Sequence, residues 1–206
     1  MESARGIPHG WLERPCPIRA AQIEARARAL ACRAPPGSLM VEVGCYDGAL
    51  ARWMAQNGVR VYSVDHWRVP DPDSPYVRSG DGTARVGPAR LERAKGIAYA
   101  HARDEPKMLV TQAESVKYAE AWRLSGDLAD LVFIDADHSY EGVAEDVRAW
   151  WPVVRPGGWL SGHDWGLFGV TAAVTDWLSA VGMDVGRLEF GEDTTWFLQK
   201  PSSAAT

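Results

Sequence analysis

Between residues 38 and 199, short apolar runs alternate with helix-like stretches, and this alternation constrains the fold more than any other feature of the chain. Strand-like runs fall at 38–43, 59–64, 107–111, 130–134 and 159–162. Helix-like stretches follow them at 47–57, 88–102, 114–124, 140–151 and 170–181, and one more precedes the first strand at 18–34. Parallel strands need a crossover between them, usually a helix. The pattern therefore predicts an α/β fold, a doubly wound and mostly parallel sheet with helices on both faces. Two last runs, 183–190 and 195–199, flank the turn Gly191-Glu192-Asp193. They predict a C-terminal hairpin with one antiparallel strand, which completes a seven-stranded sheet.

With 206 residues there is room for one sizeable core. The spacing places one domain at 38–199, preceded by an N-terminal segment and helix at 1–37 and followed by a disordered tail at 200–206. Inside the domain, 66–86 carries Pro70, Pro72, Pro75, Gly80 and Gly82 and reads as a long loop, a candidate lid. The net charge of -5 lacks the basic excess of a general nucleic-acid or membrane-surface binder. Arg19, Arg26, Arg28 and Arg33 are interrupted by Glu24 and read as a solvated helix face. Three cysteines, Cys16, Cys32 and Cys45, form no paired spacing, which predicts a reducing cytoplasm and no cysteine metal site. No apolar stretch has the length of a membrane span, and no signal peptide is apparent.

Chemistry concentrates where the strands end. Glu42-Val43-Gly44-Cys45-Tyr46-Asp47-Gly48 joins the first strand to its helix, with Gly44 free to turn sharply. Asp65 follows 21 residues after Gly44, at the end of the second strand. An acid there reaches the ribose hydroxyls of an adenosine in doubly wound folds. The middle glycine of a dinucleotide fingerprint is missing, and Glu42 would repel a pyrophosphate. Both points favour a ligand with a cationic amine and no phosphate.

Glu42-x-Gly44-x-x-x-Gly48, Asp65, the run Asp130-Leu-Val-Phe-Ile-Asp135-Ala-Asp137-His138-Ser-Tyr140, Arg155-Pro-Gly-Gly158 and Gly162-His-Asp164 stand together in this chain. The set resembles the class I S-adenosylmethionine (SAM) dependent methyltransferases, with their Rossmann-like fold. More narrowly, it is similar to the small bacterial group that shares a metal-dependent design with catechol and antibiotic-sugar O-methyltransferases.

The resemblance implies SAM as cofactor and a small-molecule hydroxyl as methyl acceptor. Glu42 and Gly44 would hold the methionine end, Tyr46 and Gly48 would complete the loop, and Asp65 would take the ribose. His66 would cover the adenine, with the amide of Ala113 and the side chain of Glu114 at its edge. Glu114 reads equally well as a helix N-terminal acid. Asp135, placed by the resemblance in both cofactor and metal contacts, would bind a divalent ion with His163 and Asp164. Magnesium is the ion of the relatives, though an imidazole at His163 favours a transition metal. His138 would be the general base. A plainer reading has Asp137 and His138 cap the helix near Tyr140. The N-terminal helix could serve as a homodimer contact.

Overall fold

The computed structural model describes residues 17–202. Expectations for 1–16 and 203–206 lie outside the described residues. Helix α1 (Pro17–Ala31) leads into β1 (Leu39–Val43), α2 (Ala49–Gln56) and β2 (Arg60–Asp65). A short α3 (Pro75–Arg78) precedes α4 (Pro88–Asp104), β3 (Met108–Gln112), α5 (Ser115–Ser125) and β4 (Ala129–Ile134). Then come α6 (Tyr140–Trp150), β5 (Val154–Gly162), α7 (Val170–Ala180), β6 (Glu189–Phe190) and β7 (Trp196–Gln199).

The seven strands form one sheet in the order β3-β2-β1-β4-β5-β7-β6. Pairing is parallel from β3 to β5 and antiparallel on both sides of β7. The expected doubly wound architecture is the one observed. The order reverses between β1 and β4, and ligands bind at the strand ends beside such a reversal.

Strand alternation explains the two-sided core. In β1, Val41 and Val43 face one cluster with Trp150 and Trp177, while Met40 faces another with Leu30, Met54 and Ala98. Helices α5, α6 and α7 thus cover one face, and α1, α2 and α4 the other. Glu42 falls on the Met40 face of β1 and is 2% exposed. Among the described residues, no helix is long and apolar enough to cross a membrane.

Four expectations need correction. The first hairpin strand shrinks to Glu189–Phe190, because Asp184 caps a 3-10 turn at Val185–Arg187. The strand expected at 159–162 begins earlier, at Val154, and takes in Arg155 to Gly158, where the register shifts between Ala129 and Leu131. The loop at 66–86 is partly helical: Ser74 caps α3, and Thr83–Arg85 forms a 3-10 turn. Lys200, assigned to a disordered tail, donates to the Trp151 and Val154 carbonyls.

The arginines of α1 are not a solvated face. Arg19 pairs with Asp47, Arg33 lies 3.7 Å over the Phe197 ring, and Arg26 reaches into the strand-end cluster. Only Arg28 keeps to the outside, paired with Glu24. Ala27 and Leu30 are fully buried, so this face of α1 is committed to its own chain.

Candidate active site

A cavity of about 330 Å³ opens at the carboxyl ends of β1, β2 and β4. Glu42, Gly44, Tyr46, Asp65, His66, Ala113, Asp135 and His138 all line it, as the sequence led one to expect. Gly44 and Asp135 are locked together by the register: Gly44 N donates to Val64 O at 2.8 Å and Asp135 N to Val43 O at 2.8 Å. At Gly44 φ is 85°, and a Cβ there would stand 2.2 Å from the Asp135 carbonyl oxygen. Its bareness therefore lets two strand ends pass each other.

Asp65 accepts from Tyr46 N at 2.9 Å through Oδ2 and from Trp67 N at 2.8 Å through Oδ1. It ties the cofactor loop to the end of β2 and still faces the cavity. Burial raises its pKa against those two amides. Burial also pushes Glu42 up to about 8, despite the 2.7 Å bond from Ser63 Oγ, and the charges of Asp135, Asp47 and Asp65 add to the effect. Trp67 covers the loop by donating its indole N–H to Tyr46 O at 2.7 Å.

Two expected cofactor residues sit elsewhere. Glu114 pairs with Arg68, and the cavity takes its neighbours Ala113 and Ser115 instead. Gly48 turns its bare Cα to Met108 and Ala98, so its smallness serves packing between loop and helix.

Beside the cavity lies a cluster of alternating charges. His138 Nδ1 is 2.8 Å from Asp81 Oδ2, and its Nε2 is 3.2 Å from Asp135 Oδ1 and 3.3 Å from Asp164 Oδ2. Burial alone would lower its pKa, but the bonds to Asp135 and Asp81 and the nearby charges raise it to about 10. The capping alternative for His138 does not hold. Ser139 is the N-cap, accepting from Gly142 N at 3.1 Å, and Asp137 accepts from Ser139 N at 2.7 Å.

The expected metal group is rearranged. Asp135, His138 and Asp164 offer ligand atoms within 4.8 Å of one another. His163 is left out of this group: its Nδ1 edge meets Asp164 and Asp135, while its Nε2 edge turns to Asp193 and Thr194. Its Nδ1 lies 2.9 Å from Asp164 Oδ1, its Nε2 3.1 Å from the Thr194 hydroxyl. Arg26 Nη2 stands 2.5 Å from the same Nε2, Nη1 is 2.8 Å from Asp135 Oδ2 and Nε is 3.1 Å from Asp193 Oδ2. Burial and the Arg26 charge lower the His163 pKa, but the carboxylates of Asp164 on Nδ1 and Asp193 on Nε2 outweigh them and raise it to about 9. Burial opposes the ionisation of Asp135, yet His138 and Arg26 outweigh it and hold the carboxyl below its usual range.

Sequence reasoning missed Arg26, Asp81, Asp193 and Thr194. Arg26 looked like one charge among several on a helix, and Asp81 like one polar loop residue among many. Nothing in local spacing marks a contact 109 residues away, such as that of Arg26 with Asp135.

Among the described residues, four that are not glycine adopt left-handed backbone: Tyr46 (φ 50°), Trp67 (φ 46°), Asp164 (φ 59°) and Phe168 (φ 50°). All four border the cavity or the charge cluster. Such strain gathers at functional sites, where the surroundings enforce it.

A parallel sheet reversing at β1, a glycine turn beneath a strand-end acid and an acid at the end of β2 define a nucleoside-binding α/β enzyme. The chain belongs to the family described as "Methyltransferase domain", whose model matches residues 41–165, and is a class I SAM-dependent methyltransferase. No curated protein matches its sequence. Solved methyltransferase structures share the fold. The calicheamicin methyltransferase CalS11 is 12% identical with a TM-score of 0.65, covering 89% of this chain and 80% of that one. The O-methyltransferase NovP is 15% identical with a TM-score of 0.60, covering 89% and 79%. The N-methyltransferase NodS from Bradyrhizobium japonicum WM9 is 16% identical with a TM-score of 0.55, covering 90% and 97%.

Proposed function

We propose that this methyltransferase carries the methyl group of SAM to a hydroxyl of a small molecule, with His138 as proton acceptor. The supporting observation is the position of His138 Nε2, held between Asp135 and Asp164 at the edge of the cavity. SAM supplies an electron-poor methyl group on its sulfonium, so the chain has to align an acceptor oxygen and take its proton.

The cavity suits that cofactor. Glu42 and Asp135 offer acids to a cationic amine, and each Asp65 oxygen keeps a lone pair for a ribose hydroxyl. Even with Arg26 on Asp135 and His163 on Asp164, the carboxylates around His138 outweigh its burial and keep it protonated. Once those carboxylates face another cation, Nε2 is released to accept the hydroxyl proton.

A divalent ion belongs to the same proposal. Asp135 and Asp164 would hold it, leaving His138 Nε2 for the proton, and it would lower the acceptor's pKa as a Lewis acid. Arg26 already stands on Asp135 Oδ2, which favours a second reading, the same transfer without a metal. The fold relative CalS11 is described as a TDP-rhamnose 3'-O-methyltransferase, which supports a sugar hydroxyl as acceptor.

The test is release of S-adenosylhomocysteine from SAM with TDP-rhamnose or catechol as acceptor, with chelator and then with added magnesium or manganese. Calorimetry that finds no SAM binding at millimolar ligand sinks the whole reading. Turnover that survives chelation removes the ion and leaves His138.

A further inference from the structure

The geometry assigns Asp81 as the positioning residue of His138, supplied by the segment that walls the cofactor cavity. This rests on the reading of His138 as proton acceptor.

Asp81 lies 57 residues from His138 in sequence and is 6% exposed. One carboxylate oxygen stands 2.8 Å from His138 Nδ1, and the other accepts from Thr83 N at 2.8 Å. The Thr83 hydroxyl in turn takes a bond from Tyr76 at 3.1 Å, and Ser74 fixes the turn that carries Tyr76. Phe168 stacks on the imidazole at 5.7 Å with the planes 21° apart. The ring is thus held along one edge and on one face. With Nδ1 bonded to Asp81, Nε2 is left to face Asp135 and Asp164. A carboxylate on Nδ1–H also fixes which nitrogen can lose its proton.

A buried carboxylate is costly without partners, and Asp81 has one for each oxygen, Thr83 N within its own loop and His138 across the cavity wall. The same segment contributes His66, Trp67, Tyr76 and Thr83 to the cavity wall. Seating the wall and aiming the imidazole are therefore one event. Opening the segment withdraws Asp81 and frees the ring to turn.

The test uses the full chain with 15N-labelled histidine, free and saturated with S-adenosylhomocysteine. In the native protein His138 gives an imidazole Nδ1–H signal protected from exchange. Asp81→Asn and Asp81→Ala remove that protection, while calorimetry shows S-adenosylhomocysteine binding within a few-fold of native. His138→Gln speeds hydrogen exchange across 66–86, since the coupling works in both directions. With TDP-rhamnose or catechol, Asp81→Asn lowers kcat by roughly 10- to 100-fold with little change in KM for SAM, the scale on which partners of an active group act. Asp81→Glu recovers part of that loss.

An unchanged His138 signal in both Asp81 variants overturns the assignment. So does full turnover in Asp81→Asn where His138→Gln is inactive. Full turnover in His138→Gln overturns the acceptor reading itself, and the assignment falls with it. If Asp81→Ala fails to fold, the near-isosteric Asp81→Asn carries the test.

Discussion

Glu42→Gln should make the protein more stable as the pH rises, relative to the native chain. The buried Glu42 carboxyl has its pKa raised by burial from the ordinary 4.5 to about 8. The folded state therefore holds this proton more tightly than the unfolded state, by about 5 kcal/mol at about 1.4 kcal/mol per tenfold. The sign follows directly. Below pH 4.5 both states are protonated and the full stability is present. As pH rises toward 8 the unfolded chain ionises first, and stability drains away. Between pH 5 and pH 8 the loss attributable to this group is roughly 3–4 kcal/mol. Glutamine has nearly the same shape, can still accept from the Ser63 hydroxyl at this position, and carries no proton to lose.

Urea or thermal unfolding of both proteins at several pH values measures the difference, in which every other titrating group cancels. The gap in Tm should widen by about 10 °C across that window, taking 2–4 °C per kcal/mol for a chain of this size. Parallel curves for the two proteins would refute the reasoning, because they would mean that Glu42 is already ionised in the folded apo state.

Three further outcomes are expected. SAM binding near pH 7 should release a proton from Glu42 as the cofactor's amine arrives, so calorimetric heats will vary with the buffer's ionisation enthalpy; buffer-independent heats count against an amine contact there. Arg26→Met should cost about 2–4 kcal/mol in urea unfolding, since it leaves the partly buried Asp135 and Asp193 without their shared cation, and added manganese should recover more Tm in the variant than in the native protein. Equal manganese effects would show that Arg26 does not stand in for an ion. Gly44→Ala should fail to fold or lose more than about 3 kcal/mol, because its Cβ would stand 2.2 Å from a backbone oxygen; an undisturbed Tm would contradict the strand-end crossing.

The fold was legible because the sheet is buried on both faces and its helices have their own period. Runs such as 130–134 announce a strand without reference to anything distant. The cofactor side of the site was legible for a related reason: Glu42, Gly44, Asp65 and Asp135 lie at strand ends, and topology alone brings those ends together. Illegible were the contacts made by side chains from outside the strands. Arg26 belongs to a helix packed across the sheet, and Asp81 to a segment whose composition announced only a loop. His163 shows the limit from the other direction. Its position beside Asp164 suggested a metal ligand, but Asp164 takes its Nδ1 while Asp193, Thr194 and Arg26 crowd its Nε2. Glu114 is similar: the turn was in the right place, and Arg68 claimed the side chain.

Tyr46, Trp67, Asp164 and Phe168 each hold a backbone conformation that glycine or asparagine would adopt with less strain, a difference of about 1–2 kcal/mol per position. A directed-evolution campaign selecting only for heat resistance would drift to a small residue at the exposed Phe168, but not at the buried Trp67, where truncation costs about 3–5 kcal/mol, more than the strain it relieves. It would strip the stacking face from His138 as it did so. Selection for turnover would pull the same codon the other way. Phe168 is thus where durability and chemistry compete most directly, and a library meant to improve one while keeping the other should leave it fixed and vary the outer faces of α4 and α5 instead.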